Sequence, residues 1–261
     1  MAEEVKKLRV GIFGMTSCYG CQLQILNLEE NVLPLLNYLD ITYWRLAQEE
    51  PSDPTNLDIA IIEGSISNKE EEEEVLHIRK NAKMVIAIGA CATLGGVQGL
   101  RNVMDNDKVK SAAYKNLAYV REIKVKAIDE VIPVDFKLRG CPIDKDEFAQ
   151  AVYSLVAGRL PNIWNMPVCN ECKIKGNICF FEREKPSVCL GPITEAGCGA
   201  RCPSNGRPCD GCRGWTNDPH IVQQVKEMRD RGMKLNDIAM MIRRYSGGTS
   251  VQDNKIPGVK F

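Results

Sequence analysis

The sequence predicts an α/β fold, a parallel sheet with helices on both faces, followed by a smaller irregular domain organised around metal. Three observations predict it. Short, nearly unbroken apolar runs alternate with helical stretches along the first 160 residues, as in strands buried on both faces. Composition then changes at residues 159–167 (RLPNIWNMP), where two prolines mark a linker. Beyond it, eight of the twelve cysteines fall between Cys169 and Cys212. This gives expected domains of 1–160 and 161–261.

The elements follow in order. Residues 8–14 (LRVGIFG), 57–63 (LDIAIIE) and 83–90 (KMVIAIGA) read as strands, and EVIPVDFKLRG ending at Gly140 as a further one. Residues 21–39 carry Leu23, Leu26, Val32, Leu35, Leu36 and Leu39 and read as helical, with Pro34 starting or kinking a turn. Residues 67–80 make a second helix, and 144–158 a third with Asp144 as its cap and Gly158 as its stop. After the cysteine-rich segment, Asp218-Pro219 reads as a cap with proline at the first helical position. Ile221, Val222, Val225 and Met228 continue at helical spacing, and Gly232 breaks the pattern. Ile238, Met241 and Ile242 form a last short helix stopped near Gly247, with an extended tail.

Lys and Arg total 34, as do Asp and Glu. A balanced charge offers no footprint for nucleic acid, and no apolar run is long enough to span a bilayer. The opening MAEEVKKLRV lacks the apolar stretch of an export signal, so a cytoplasmic location is expected. In that reducing compartment, and in a chain able to build a core, cysteines read as metal ligands rather than disulfides.

Cys18 and Cys21 follow the first strand, Cys91 the strand ending at Ala90, and Cys141 the last apolar run. In an open parallel sheet the carboxyl ends of strands share one edge, where ligands bind. A single four-thiolate site is therefore expected there. Gly89, Gly95, Gly96 and Gly140 would let backbone approach a bulky group, and Glu63-Gly64-Ser65 should line the same rim. Cys169, Cys172, Cys179 and Cys189 make a second set, and Cys198, Cys202, Cys209 and Cys212 a third. Thiolate-only sets select zinc or iron–sulfur, and spacing alone leaves both open.

The remaining signals read as structural. Glu70–Glu74 form a solvated helix face, and His77 and His220 lie outside every ligand set. Trp44, Trp164 and Trp215 are core or interface anchors.

Together SCYGC, IIEGSI, IGACATLGG, RGCPID, VCNEC, CLGPIT and CGARCPSNGRPCDGCRG carry a resemblance that runs from Val10 to about Trp215. The chain resembles the small, electron-transferring subunit of nickel–iron hydrogenases, in particular the sulfhydrogenase delta and methanogen hydrogenase gamma subunits. The resemblance implies a flavodoxin-like first domain and three 4Fe–4S clusters. The proximal one would take Cys18, Cys21, Cys91 and Cys141. The medial one would take Cys198, Cys202, Cys209 and Cys212, and the distal one Cys169, Cys172, Cys179 and Cys189. No residue of this chain is expected to be catalytic or to bind another cofactor, because the nickel–iron centre sits in a partner large subunit. The face around Cys18, Cys21 and Glu63 would dock that subunit. Flavin or iron–sulfur subunits would receive electrons bound for a nicotinamide, deazaflavin or polysulfide acceptor.

The sequence departs from many periplasmic relatives in four places. Cys169 replaces a histidine, and Cys202 supplies a fourth medial thiolate. Ser17 replaces an acidic residue, and the twin-arginine leader is missing. An all-thiolate shell carries more negative charge and should lower cluster potentials. The rival readings are a complex I-like quinone-reducing subunit and a zinc-stabilised binding module. Complex I subunits carry two adjacent cysteines, whereas this chain has Cys18-Tyr19-Gly20-Cys21.

Overall fold

In a computed structural model, residues 7–29, 32–118, 120–162, 165–183 and 187–246 are described. Trp164 and the tail from Gly247 lie outside them. In chain order the first elements are β1 (Leu8–Gly14), α1 (Gly20–Leu26), α2 (Val32–Leu36), β2 (Leu39–Trp44), β3 (Leu57–Glu63), α3 (Lys69–Asn81) and β4 (Ala82–Ile88). Then come α4 (Gly89–Leu94), α5 (Asn106–Ala113), β5 (Phe136–Leu138) and α6 (Lys145–Val156). The last are α7 (Val168–Ile174), α8 (Arg201–Ser204), α9 (Ile221–Asp230) and α10 (Leu235–Arg243). The chain divides into two compact units, Met1–Thr93 with Arg121–Asn162, and Leu94–Val120 with Ile163–Phe261.

The first unit is built on a parallel sheet of order β2-β1-β3-β4-β5, the flavodoxin-like arrangement with its switch point between β1 and β3. Side chains alternate across it. Val10, Ile12, Ile59, Ile61, Ile86 and Ile88 pack on one face with Ile25, Leu35, Phe148 and Val152. Leu57, Ala60, Ile62, Val85 and Ala87 pack on the other with Val75 and Ile78 of α3. Both faces are covered, which is why the strands read as continuous apolar runs. Asn68 caps α3 by accepting from Glu71 N–H, and Asp144 caps α6 by accepting from the Asp146 and Glu147 N–H groups.

The structure corrects four expectations. The helical reading of 21–39 ran two short helices into Leu39, which opens the edge strand β2; Ile41, Thr42, Tyr43 and Trp44 are β-branched or aromatic and suit it. The strand predicted to reach Ala90 ends at Ile88, because Gly89 turns the chain with φ 83°. The run ending at Gly140 pairs only over Phe136–Leu138, since Ile128–Glu130 wind into a 3₁₀ turn. Helix α9 starts at Ile221 with His220 at its cap, so Pro219 lies before the helix.

In the second unit α9 and α10 bury Ile221, Val225, Met228, Ile238 and Ile242 against Leu190, Ile193 and Trp215. Gln224 Nε2 donates to the Cys189 carbonyl at 3.0 Å, so α9 packs directly on the cysteine-rich segment. A second cluster there consists of Val168, Phe180, Cys189, Ala200 and Cys209.

Candidate metal centres

The carboxyl ends of the strands are tied together before any ligand is considered. Met15 N–H donates to the Glu63 carbonyl at 2.8 Å, and Thr16 and Ser65 exchange backbone hydrogen bonds. This joins the loops after β1 and β3. Glu71 reinforces the junction, accepting from Thr16 Oγ1 at 2.8 Å and from Ser67 N–H at 2.7 Å. Ala90 N–H donates to the Gly140 carbonyl at 2.6 Å, which joins the segments bearing Cys91 and Cys141. Glu63 Oε1 accepts from Cys21 N–H at 2.9 Å and holds the start of α1 over the end of β3.

Cys21 is buried, and Cys91 and Cys141 are close enough to act on its charge. Burial pushes the Cys21 thiol far up, with the Glu63 carboxylate adding to the effect. Cys18 and Cys141 are exposed at the rim. Gly89 approaches the site as closely as glycine alone allows, since a Cβ there would lie 2.4 Å from Cys21 Sγ.

Burial also raises Glu63, a direction opposed by the Cys21 N–H. Sequence reasoning placed Glu63 on this rim but missed Gln22. That side chain accepts from Trp44 Nε1 at 2.7 Å. Gln22 is buried beside Glu63 and, like the Cys21 N–H, opposes the rise of its carboxyl.

In the second unit the charges of Cys189, Cys172 and Cys179 all act on Cys169, so the four thiols lie in one neighbourhood. Burial, then those neighbours, pushes Cys169 up to about 11. Cys189 is raised by burial too, although its sulfur accepts from Gly191 N–H at 3.4 Å and Cys209 N–H at 3.2 Å. A Cβ at Gly191 would sit 3.4 Å from both Cys169 Sγ and Cys189 Sγ, so glycine leaves the space between them open.

The other four thiols interact as pairs. Cys202 is raised by burial and then by Cys198. Cys209 is raised well above the ordinary thiol range by burial, with Cys189 and Cys212 adding to it. Cys209 thus touches a member of the neighbouring set through its N–H. Nothing in the sequence signals Glu171, whose carboxylate lies on the loop bearing Cys198.

Crowded, buried thiols hold their protons in the free chain. Ligation requires the thiolates and releases those protons, so cationic metal is the natural counterpart of such a set. Among the described residues no three His, Cys, Asp or Glu side chains are placed to share one metal ion. The set of Cys169, Cys172, Cys179 and Cys189, all sulfur, with N–H groups donated to Cys189 Sγ and a glycine-lined gap, fits a thiolate-ligated cluster.

Comparison with known proteins gives three kinds of match. Residues 18–155 match the family model described as NADH ubiquinone oxidoreductase, 20 Kd subunit. Sulfhydrogenase 2 subunit delta of Pyrococcus furiosus is 34% identical over 92% of this chain and 99% of its own. A subunit of the F420-non-reducing hydrogenase of Methanocaldococcus jannaschii is 33% identical over 92% of this chain and 94% of its own. A crystal structure of an NAD+-reducing [NiFe]-hydrogenase superposes with a TM-score of 0.53 at 26% identity, over 60% of this chain and 95% of the other.

Proposed function

This chain belongs to the family of nickel–iron hydrogenase small subunits, and we propose that it holds three 4Fe–4S clusters serving a hydrogen-oxidising or hydrogen-forming large subunit. Catalysis takes place in that partner. The observation that carries the reading is the pairing of Cys169 and Cys189 across Gly191, with Cys172 and Cys179 nearby, in a chain similar over most of its length to hydrogenase iron–sulfur subunits.

In this reading residues 1–160 hold the proximal cluster through Cys18, Cys21, Cys91 and Cys141. Residues 161–261 hold the medial cluster through Cys198, Cys202, Cys209 and Cys212, and the distal one through Cys169, Cys172, Cys179 and Cys189. Bound iron–sulfur clusters supply one-electron carriers whose potentials follow charge, burial and hydrogen bonds to sulfur. The chain's own residues set those terms. Glu63 fixes Cys21 through its N–H and adds negative charge beside it. Gly191 and Cys209 direct N–H groups at Cys189 Sγ.

The exposed Cys18 and Cys141 at the rim support docking of the large subunit there. An electron-transfer subunit with flavin or iron–sulfur groups completes the assembly, and a cytoplasmic location belongs to the same proposal. Among the described residues no helix is long and apolar enough to cross a membrane.

Anaerobic purification of the complex tests this. Co-purifying nickel and hydrogen-dependent dye reduction are expected. A colourless protein with zinc and no acid-labile sulfide would end the proposal. Quinone reduction without nickel would instead favour the enzyme for which the matched family model is described.

A further inference from the structure

Helix α7 presents Cys169 and Cys172 on either side of Glu171. The Glu171 side chain reaches a loop more than twenty residues further along the chain. Its Oε1 accepts from Gly197 N–H at 2.9 Å and Gly199 N–H at 3.1 Å, and its Oε2 from Ala200 N–H at 3.2 Å. Three donors from four consecutive residues converge on one carboxylate because the backbone is bent for it. Gly197, Gly199 and Ala200 have φ of 118°, 61° and 49°. Positive-φ backbone of this kind gathers successive N–H groups into a concavity that takes an anion.

Ala200 is the informative member. It is fully buried, and an L side chain disfavours the left-handed conformation, so the surroundings must hold it there. Ala200 is also the N-cap of α8, which carries Cys202, while Cys198 lies inside the nest itself. One carboxylate rooted between Cys169 and Cys172 therefore grips the backbone around Cys198 and the entry to Cys202.

We infer that Glu171 is a positioning residue that locks the Cys198–Cys202 segment to the Cys169–Cys172 helix and keeps the nest's N–H groups from donating to whatever those thiolates bind. This deepens the cluster reading above and rests on it. An N–H donated to a cluster sulfur favours the more negative, reduced state, whereas a carboxylate beside it disfavours that state. Glu171 thus holds the potential of the Cys198 set down.

The test is Glu171→Gln and Glu171→Ala in the whole complex, purified without oxygen and followed by redox titration with electron paramagnetic resonance. Glutamine offers one acceptor oxygen and one NH2, so at least one nest N–H faces a donor and the charge is gone. Glu171→Gln is expected to raise the midpoint of the cluster on the Cys198 set while iron content stays at the wild-type value. Glu171→Ala should raise it further or lose that signal selectively. Midpoints unmoved in Glu171→Gln, or equal shifts or losses in all three clusters, would overturn the role of Glu171. The wild-type sample separates the two levels. Absence of iron–sulfur signals there sinks the function proposed above, whereas a normal wild type with unmoved variants sinks this inference alone.

Discussion

Gly89→Ala probes the joint between the sheet and the first thiolate set. Gly89 has φ 83°, so alanine there incurs the left-handed backbone cost of roughly 1–2 kcal/mol. The steric term is larger in consequence. The new Cβ would lie 2.4 Å from Cys21 Sγ, whereas ordinary contact begins at 3.4 Å, so the sulfur must yield by about 1 Å. Cys21 cannot move as a unit with α1, because Glu63 holds its N–H and the residue is buried. The side chain must rotate away from its partners instead.

The expected outcome is loss of about one cluster's iron, with the unfolding temperature lowered by several degrees from the backbone term. Gly158→Ala is the control. Its φ is 70°, and nothing lies within 4 Å of the added Cβ. It should show a comparable thermal shift with wild-type iron. Iron analysis and resonance spectra of both variants decide the matter. Full iron and an unchanged spectrum in Gly89→Ala would refute the packing argument, as would equal iron loss in Gly158→Ala.

Other perturbations have equally definite outcomes. Partial desolvation raises the Glu74 carboxyl from its ordinary value, opposed by Arg45 and His77 and reinforced by Glu71. Its proton therefore favours the folded state fully below about pH 4.5, and this contribution is lost as pH rises through the elevated folded value. Because Glu74 keeps much of its surface in water, solvent screening keeps the effect small: Glu74→Gln should unfold slightly above wild type at pH 7 and at the same temperature near pH 4, and a lower unfolding temperature at pH 7 would contradict this. Asp144→Ala leaves the Asp146 and Glu147 N–H groups uncapped and should cost about 1 kcal/mol in denaturant unfolding. Cys202→Ser should remove about one iron per chain and convert the medial signal to a three-iron type, so an unchanged count of 4Fe–4S clusters would show the medial set to be wrong.

The sheet was legible because β1, β3 and β4 are buried on both faces and must be apolar throughout. Edge strand β2 was not, since Leu39 continues the leucine spacing of the helices before it and nothing local marks the change. The cysteines at strand ends could be located because topology, not spacing, brings the carboxyl ends of parallel strands to one edge. Gly89 was legible for the same reason. Glu171 was invisible, because its partners are backbone N–H groups of Gly197, Gly199 and Ala200, and a sequence does not display where a loop points its donors. Gln22 was hidden likewise, since its partner Trp44 lies on the strand that was missed. Pro219 misled because it lies before the cap, two residues ahead of the first helical position.

The most direct measurement is the iron and acid-labile sulfide content of the complex, isolated without oxygen and expressed per copy of this chain. Twelve cysteines in three sets predict about twelve irons with as many sulfides, four to each set. Fewer than about eight irons, or iron without sulfide, would contradict the assignment of these thiols to three clusters.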